Sequence, residues 1–233
     1  MGATRIDLAW AASTDNGTIA GYRVRRGGVE LATVQGTTYS DATVQPSTTY
    51  TYDVVAVDAA GNVSAPSAPV SATTPAAPTT LTVPVADDTY VASDRPTTTY
   101  GSAVRVTADN QPRRHVLLRF VVAGTGGRAV RSVKLRLYCV DNSPVGGAFH
   151  RVTDTTWREG TVTWNTAPVA SATTLATLGS VVVGNWYEVD VTQAVAGDGA
   201  VAFLIDSTSN NGADYRSKEA NPAQAAQLVV TLQ

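Results

Sequence analysis

Short runs rich in Val, Thr, Tyr and Trp recur along the whole chain, separated by clusters of Gly, Pro, Asn and Asp. Such punctuation leaves little room for an amphipathic helix and points to an all-β chain. The richest run is Thr156–Pro168, where Trp157 and Trp164 stand seven apart among Thr and Val before Asn165-Thr166-Ala167-Pro168. Two indoles are too apolar to leave in water. The segment is therefore expected to form a strand over 161–164 that buries aromatic surface and then turns sharply.

With 233 residues the chain has room for one large or two ordinary domains. Hydrophobic residues are 43% and charged ones 15%, which favours packed cores over disorder. The formal net charge of -2 supplies no basic footprint for nucleic acid. One cysteine, Cys139, excludes an intrachain disulfide, and two histidines exclude a His-rich metal cluster. No run of 18 apolar residues exists, so no membrane span is expected. No signal peptide precedes Arg5, so an exported protein would be represented here by a mature form or a part.

In the first third, Ile6, Leu8 and Trp10 alternate with polar neighbours as a half-buried strand. Asp15-Asn16-Gly17 reads as a turn into a second strand carrying Tyr22 and Val24, and Arg26-Gly27-Gly28 as a turn into Val29–Val34. Tyr50–Val57 is the longest strand, closed by Asp58–Asn62. Trp10, Tyr22, Val24 and Val44-x-Pro46-x-Thr48-x-Tyr50 resemble a fibronectin type III domain, an immunoglobulin-like sandwich. The resemblance makes Tyr50 the tyrosine-corner residue, its hydroxyl donated to nearby backbone. It also implies a strand ahead of the Trp10 strand that this sequence does not supply, leaving an exposed edge. The expected divisions are a fibronectin type III domain over 1–74, a stiff Pro/Thr linker over 75–82 and a second domain over 83–233.

In that second domain strands are expected at 89–92, 103–107, 115–122, 132–140, 148–153, 161–164, 186–190, 201–206, 215–219 and 227–232, a jelly-roll sandwich. The one helical candidate is a turn capped by Thr192. The motifs Ala86–Val91, Thr99–Ser102, Leu118–Phe120, Val133–Tyr138, Trp186–Thr192 and Ser217–Glu219 resemble, together with the tryptophan segment, the DNRLRE-type, disaggregatase-related carbohydrate-binding modules. The resemblance implies a module of a secreted bacterial polysaccharide-degrading protein, and at least some members bind acidic polysaccharide.

Alternation sorts one candidate surface. Val104, Val106, Val116, Leu118, Phe120, Val133, Leu135 and Leu137 are expected to point inward. Arg105, Arg119, Lys134, Arg136 and Tyr138 then point outward and, on one shared sheet, line one solvent face. Guanidinium forks match carboxylates and a tyrosine ring supports a sugar ring, so the face suits a uronic-acid polymer. Arg113, beside Arg114, would extend it, and Tyr100 is the best loop-borne tyrosine. The same residues also read as a solvated face with ion pairs across strands. Trp157, Trp164 and Trp186 read as core or as sugar platforms. Asp87, Asp88, Asp94 and Glu219 could hold a structural calcium or simply cap turns; no cofactor is required. Cys139 reads as a buried small hydrophobe, and His150 has no obvious partner.

No nucleophile elbow, zinc-protease motif or Walker loop is present, and Glu188 and Asp190 alternate within a structural strand. The expected function is non-catalytic polysaccharide binding, secreted or at the cell surface, serving a catalytic domain in the parent chain. The alternatives are a structural or adhesive module without sugar affinity and a polysaccharide lyase.

Overall fold

The computed structural model describes residues 1–14 and 18–233. The fold is all-β, two β-sandwich domains, and its contacts divide the chain into Met1–Ala77 and Pro78–Gln233. The expected turn at Asp15-Asn16-Gly17 lies outside the described residues. No helix among the described residues is long and apolar enough to cross a membrane.

In the first domain β1 (Ile6–Ala9) pairs with β4 (Thr38–Asp41) as one sheet. The other holds β2 (Ile19–Arg26), β3 (Val29–Val34), β5 (Thr49–Asp58) and β6 (Val70–Thr73) in the order β3-β2-β5-β6. Alternating side chains close the gap between sheets: Ile6, Val44 and Tyr52 form a buried cluster. The Tyr50 hydroxyl accepts a hydrogen bond from the Gln45 backbone N–H at 2.8 Å, so it ties down the corner as an acceptor, the reverse of the expected direction.

One charge is wholly buried here. Asp41, 0% exposed, accepts from Tyr52 Oη at 2.8 Å, Arg26 Nη1 at 2.8 Å and the Thr43 N–H and hydroxyl. Burial alone would raise its pKa. The Thr43 and Tyr52 hydrogen bonds and the Arg26 charge outweigh that and hold it below 3.8. With a lowered pKa, its contribution is complete above pH 3.8 and disappears as the pH falls through the folded value. Asp41→Asn is expected to cost this domain about 1.5–3 kcal/mol at pH 7. Urea melts at pH 7 and pH 3 check it: the gap between variant and wild type should narrow in acid.

The second domain contains β7 (Thr79–Ala92), β8 (Arg105–Asn110), β9 (Arg113–Val122), β10 (Val130–Tyr138), β11 (Gly147–Val152), β12 (Ala170–Leu178), β13 (Trp186–Asp190), β14 (Gly199–Asp206), β15 (Ala213–Arg216) and β16 (Gln227–Leu232). They run β12-β11-β14-β9-β7-β16-β10-β13, with β8 joining β9 to β15. The sheet curls at β7, which pairs with β16 through Pro84 and with β9 from Val85, with a register shift between Val85 and Asp87. Val116, Leu118 and Phe120 of β9 thereby face Val133, Leu135 and Leu137 of β10 across one core, joined by Phe149, Phe203, Ile205 and Tyr215. Each buried Phe is worth about 1.5–3 kcal/mol.

Four expectations need correction. Val104, expected to point inward, lies ahead of β8 and is 61% exposed. Thr79–Thr82, placed in the linker, are strand paired with Val229–Leu232, because that edge would otherwise be unpaired. Thr161–Trp164 is not a strand: the Arg158 carbonyl accepts from the Thr161 and Val162 N–H groups, and a 3-10 turn follows at Trp164–Thr166. Thr192 does not cap its turn; its hydroxyl accepts from the Val133 N–H, while Asp190 Oδ1 accepts from the Thr192 N–H at 3.0 Å.

Candidate functional site

The five outward side chains of the expected basic face do not share a face. Because β9 and β10 turn their apolar sides to one core, Arg119 points away from it on one side and Arg136 on the other. On the β10–β13 face Lys134, Arg136 and Tyr138 stand opposite Asp190, Glu188 and Trp186. Lys134 Nζ lies 2.9 Å from Asp190 and Arg136 Nε 2.9 Å from Glu188, with the Arg136 guanidinium 4.8 Å above the Trp186 ring. Hydrogen bonds from Lys134 and from Thr192 pull Asp190 down to about 2. This is a ladder of cross-strand pairs on a solvated surface.

The other face is covered. Trp157 and Val162 pack on Leu117, Val152, Ala202 and Leu204, so Leu117, an outward residue of β9, is 0% exposed. Beneath the same segment Arg119 Nε donates to Asp87 Oδ2 at 2.7 Å, with only 11% of its side chain exposed.

The segment is anchored by ions. Asp88, 0% exposed, accepts from the Lys218 N–H at 2.9 Å, and its own N–H donates to Glu159 Oε2 at 2.9 Å. The Lys218 ammonium touches Glu159 and Glu219 and lies 3.5 Å from Asp88 Oδ1, a buried oxygen with no hydrogen-bond donor. Burial is the main reason Asp88 is pushed up to about 7, and the Glu219 and Glu159 charges add to it against the Lys218 amide and ammonium. The expected calcium set is not assembled: Asp87 is held by Arg119, and Asp94 is exposed outside the cluster. Oxygens of Asp88, Glu159 and Glu219 come within 4.8 Å of one another, but the lysine ammonium stands among them. Glu159 was not foreseen as a member.

Two further surfaces gather polar and aromatic side chains. Where the covering segment ends, Trp164 overhangs a cleft of about 480 Å³ bordered by His115, His150, Asp206 and Val169. Both histidines of the chain are here; His150 Nδ1 lies 3.1 Å from the Ser171 carbonyl and Nε2 3.6 Å from Asp206. Sequence gave no hint of this, since these partners are remote in the chain.

The second surface gathers arginines around stacked tyrosines. Tyr90 and Tyr100 lie ring on ring at 4.2 Å, and Arg114 sits 5.8 Å over the Tyr90 ring. Arg105, 61% exposed, reaches Asp214 at 3.1 Å and directly faces Arg216 across the β8–β15 pair. Burial raises the Tyr90 pKa; Tyr100 adds to this, Arg114 and Arg105 oppose it, and Asp214 raises it further. Arg114 and Arg216 each keep a buried Nε without a hydrogen-bond partner. Two carboxylates accompany these three guanidiniums, Asp214 beside Arg105 and Asp109 opposite Arg114 in the β8–β9 pair. Of the expected residues, Arg105, Arg114 and Tyr100 are here, joined by Arg216 and Tyr90; exposed Arg113 instead lies close enough to His115 to lower its pKa.

Residues 79–232, the whole of this sandwich, match the model of Carbohydrate-binding module family 96. The chain belongs to that family. Residues 1–73 match the fibronectin type III domain. Among curated proteins, an alpha-amylase of Niallia circulans is 46% identical over 72 residues, and exoglucanase B of Cellulomonas fimi 48% over 65. These stretches cover 31% and 28% of the chain and 6% of each enzyme. Among solved structures, the family 28 exopolygalacturonase of Yersinia enterocolitica is similar with a TM-score of 0.31 and 22% identity, over 33% of this chain and 19% of that one.

Apart from the histidines and Asp206 of the cleft, several titratable groups of the family 96 module are paired or buried. Its Glu188 and Asp190 are committed to Arg136 and Lys134. Asp88, the one carboxyl raised toward neutrality among those with a resolved shift, is wholly buried. Cys139 is buried too, its S–H donated to the Asp141 carbonyl, and burial pushes its pKa up.

Proposed function

We propose that this chain is a non-catalytic, polysaccharide-binding part of an exported bacterial protein, and that it holds an acidic polymer for a catalytic domain elsewhere in the parent chain. The observation that carries the acidic reading is the facing pair Arg105 and Arg216, set beside stacked Tyr90 and Tyr100 with Arg114 over the ring. Uronate carboxylates supply negative charge, and the tyrosine pair supplies an apolar edge for the sugar ring. The motifs around Tyr90 and Trp157 support placing the module with the DNRLRE type. For the ion cluster, Lys218 serves as resident cation; calcium would use Asp88, Glu159 and Glu219 and would have to push the ammonium toward solvent.

Retardation gels of the full chain through polyuronates test this. Charged hydrogen bonds are worth about 1.5–3 kcal/mol each, so Arg105→Ala/Arg216→Ala should weaken retention at least about tenfold. Polymer length and ultraviolet absorbance should stay constant; new unsaturated ends would make the protein a lyase. No retention in any polyuronate would overturn the acidic reading and favour a structural or adhesive role.

A further inference from the structure

The geometry points to a second carbohydrate subsite on the family 96 module: the cleft under Trp164, taking an uncharged pyranose unit. It does not depend on the arginine–tyrosine surface, with which it shares no residue.

The cleft exists because the outer face of the β11–β14–β9–β7 layer is only partly covered. Cross-strand pairing sets His150 beside Leu204, Ala148 beside Asp206 and Val91 beside His115. The row carrying Leu204 and Leu117 lies under Trp157 and Val162, whereas the row carrying Asp206 and His115 is left open. Trp164 closes one wall, its ring 4.9 Å from the His115 ring and tilted by 44°. The opposing lip ends in Val169, which is 86% exposed. A volume of about 480 Å³ lies within the range of small-ligand sites, about 300–1,000 Å³.

Its polar groups specify the ligand. His150 Nδ1 donates to the Ser171 carbonyl at 3.1 Å, which turns Nε2 to the cleft. Nε2 stands 3.6 Å from Asp206 Oδ1, too far for a good hydrogen bond between them. Two polar atoms at this spacing match two adjacent hydroxyls on a sugar ring, each of which can donate and accept. Burial, the main cause, keeps the His115 pKa below 6.5, with Asp206 opposing and Arg113 and His150 assisting, so His115 adds no charge at neutral pH. Among the described residues Asp206 is the one carboxylate lining the cleft, and no lysine or arginine lines it. A uronate would meet the like charge of Asp206; a neutral pyranose meets polar atoms for its hydroxyls and an indole with Pro168 and Val169 for its C–H face.

The test is calorimetry and tryptophan fluorescence of the full chain with cellohexaose, xylohexaose, mannohexaose and chitohexaose, alongside a polyuronate gel. At least one neutral hexamer should bind saturably and perturb the fluorescence. Val169→Arg, on the exposed lip, and Asp206→Ala should each weaken that binding at least tenfold while polyuronate retention stays unchanged. The subsite is overturned if no hexamer binds, or if Val169→Arg binds as well as wild type. Because the gel reports on the arginine surface separately, either reading can fail without the other.

Discussion

Replacing Lys218 by Met should destabilise the carbohydrate-binding domain by about 3–5 kcal/mol, the cost of leaving a buried charge without its partner. The stem is nearly preserved, so the loss is electrostatic: Asp88, Glu159 and Glu219 then face one another with no cation between them. The pH dependence follows from Asp88. Its folded pKa of about 7 lies above the ordinary 3.8, so the stability it contributes is complete below pH 3.8 and is lost as the pH rises through about 7. Lys218 works against that rise, so its removal should steepen the dependence. Thermal melts at pH 5 and pH 8 check this: the deficit of Lys218→Met should be clearly smaller at pH 5. Millimolar calcium should raise the melting temperature of the variant more than that of wild type, since only the variant leaves the three carboxylates without an ammonium. Equal deficits at both pH values would show that the cluster is not electrostatically coupled.

Trp157→Ala should cost a similar amount, about 3–5 kcal/mol, because it empties the centre of the second cluster. Trp157 is 8% exposed and caps Leu117, Val152, Ala202 and Leu204, which would then lie under a void or under water. Trp157→Phe should cost much less, since the indole N–H has no hydrogen-bond partner to lose. The two melts separate apolar packing from polar satisfaction. A Phe variant as unstable as the Ala variant would mean that shape, and not apolar area, holds the segment.

The strands were legible wherever apolar and polar residues alternate, as in Val133–Tyr138 and His115–Val122, because a half-buried strand needs that period. β12 left no trace: Ala-Ser-Ala-Thr-Thr-Leu-Ala-Thr-Leu is mostly small and polar, and its place comes from backbone pairing to β11 and from Leu175, Ala176 and Leu178 against the core. The tryptophan segment misled because its Thr, Val and Trp suit a strand, while Arg158-Glu159-Gly160 bends it so that Trp157 and Val162 both point down. Alternation put Arg119 and Arg136 outward correctly, yet period two cannot say which layer's outside each one meets.

Several of the motifs that carried the family resemblance meet at this joint, and three of them also supply Tyr90, Tyr100 and Trp164 to the open surfaces. Asp88 follows Ala86-Asp87, Arg119 binds Asp87, and Glu159 reaches both Asp88 and Lys218. Gly101 lies so close that a side chain there would strike the Glu159 backbone. Part of what identifies the module is therefore the apparatus that folds its covering segment. The proposed binding surfaces use Arg216, Arg114, His150 and Asp206, whose partners only the folded chain brings near.

The most direct measurement is calorimetry of the full chain carrying Val169→Arg, which disables the cleft for neutral sugar, with a polyuronate and with the same polymer after its carboxyl groups have been reduced to alcohols. The account predicts saturable binding to the polyuronate, weakened by salt and at least tenfold tighter than to the reduced polymer. Equal affinity for the two, or preference for the reduced form, would contradict it.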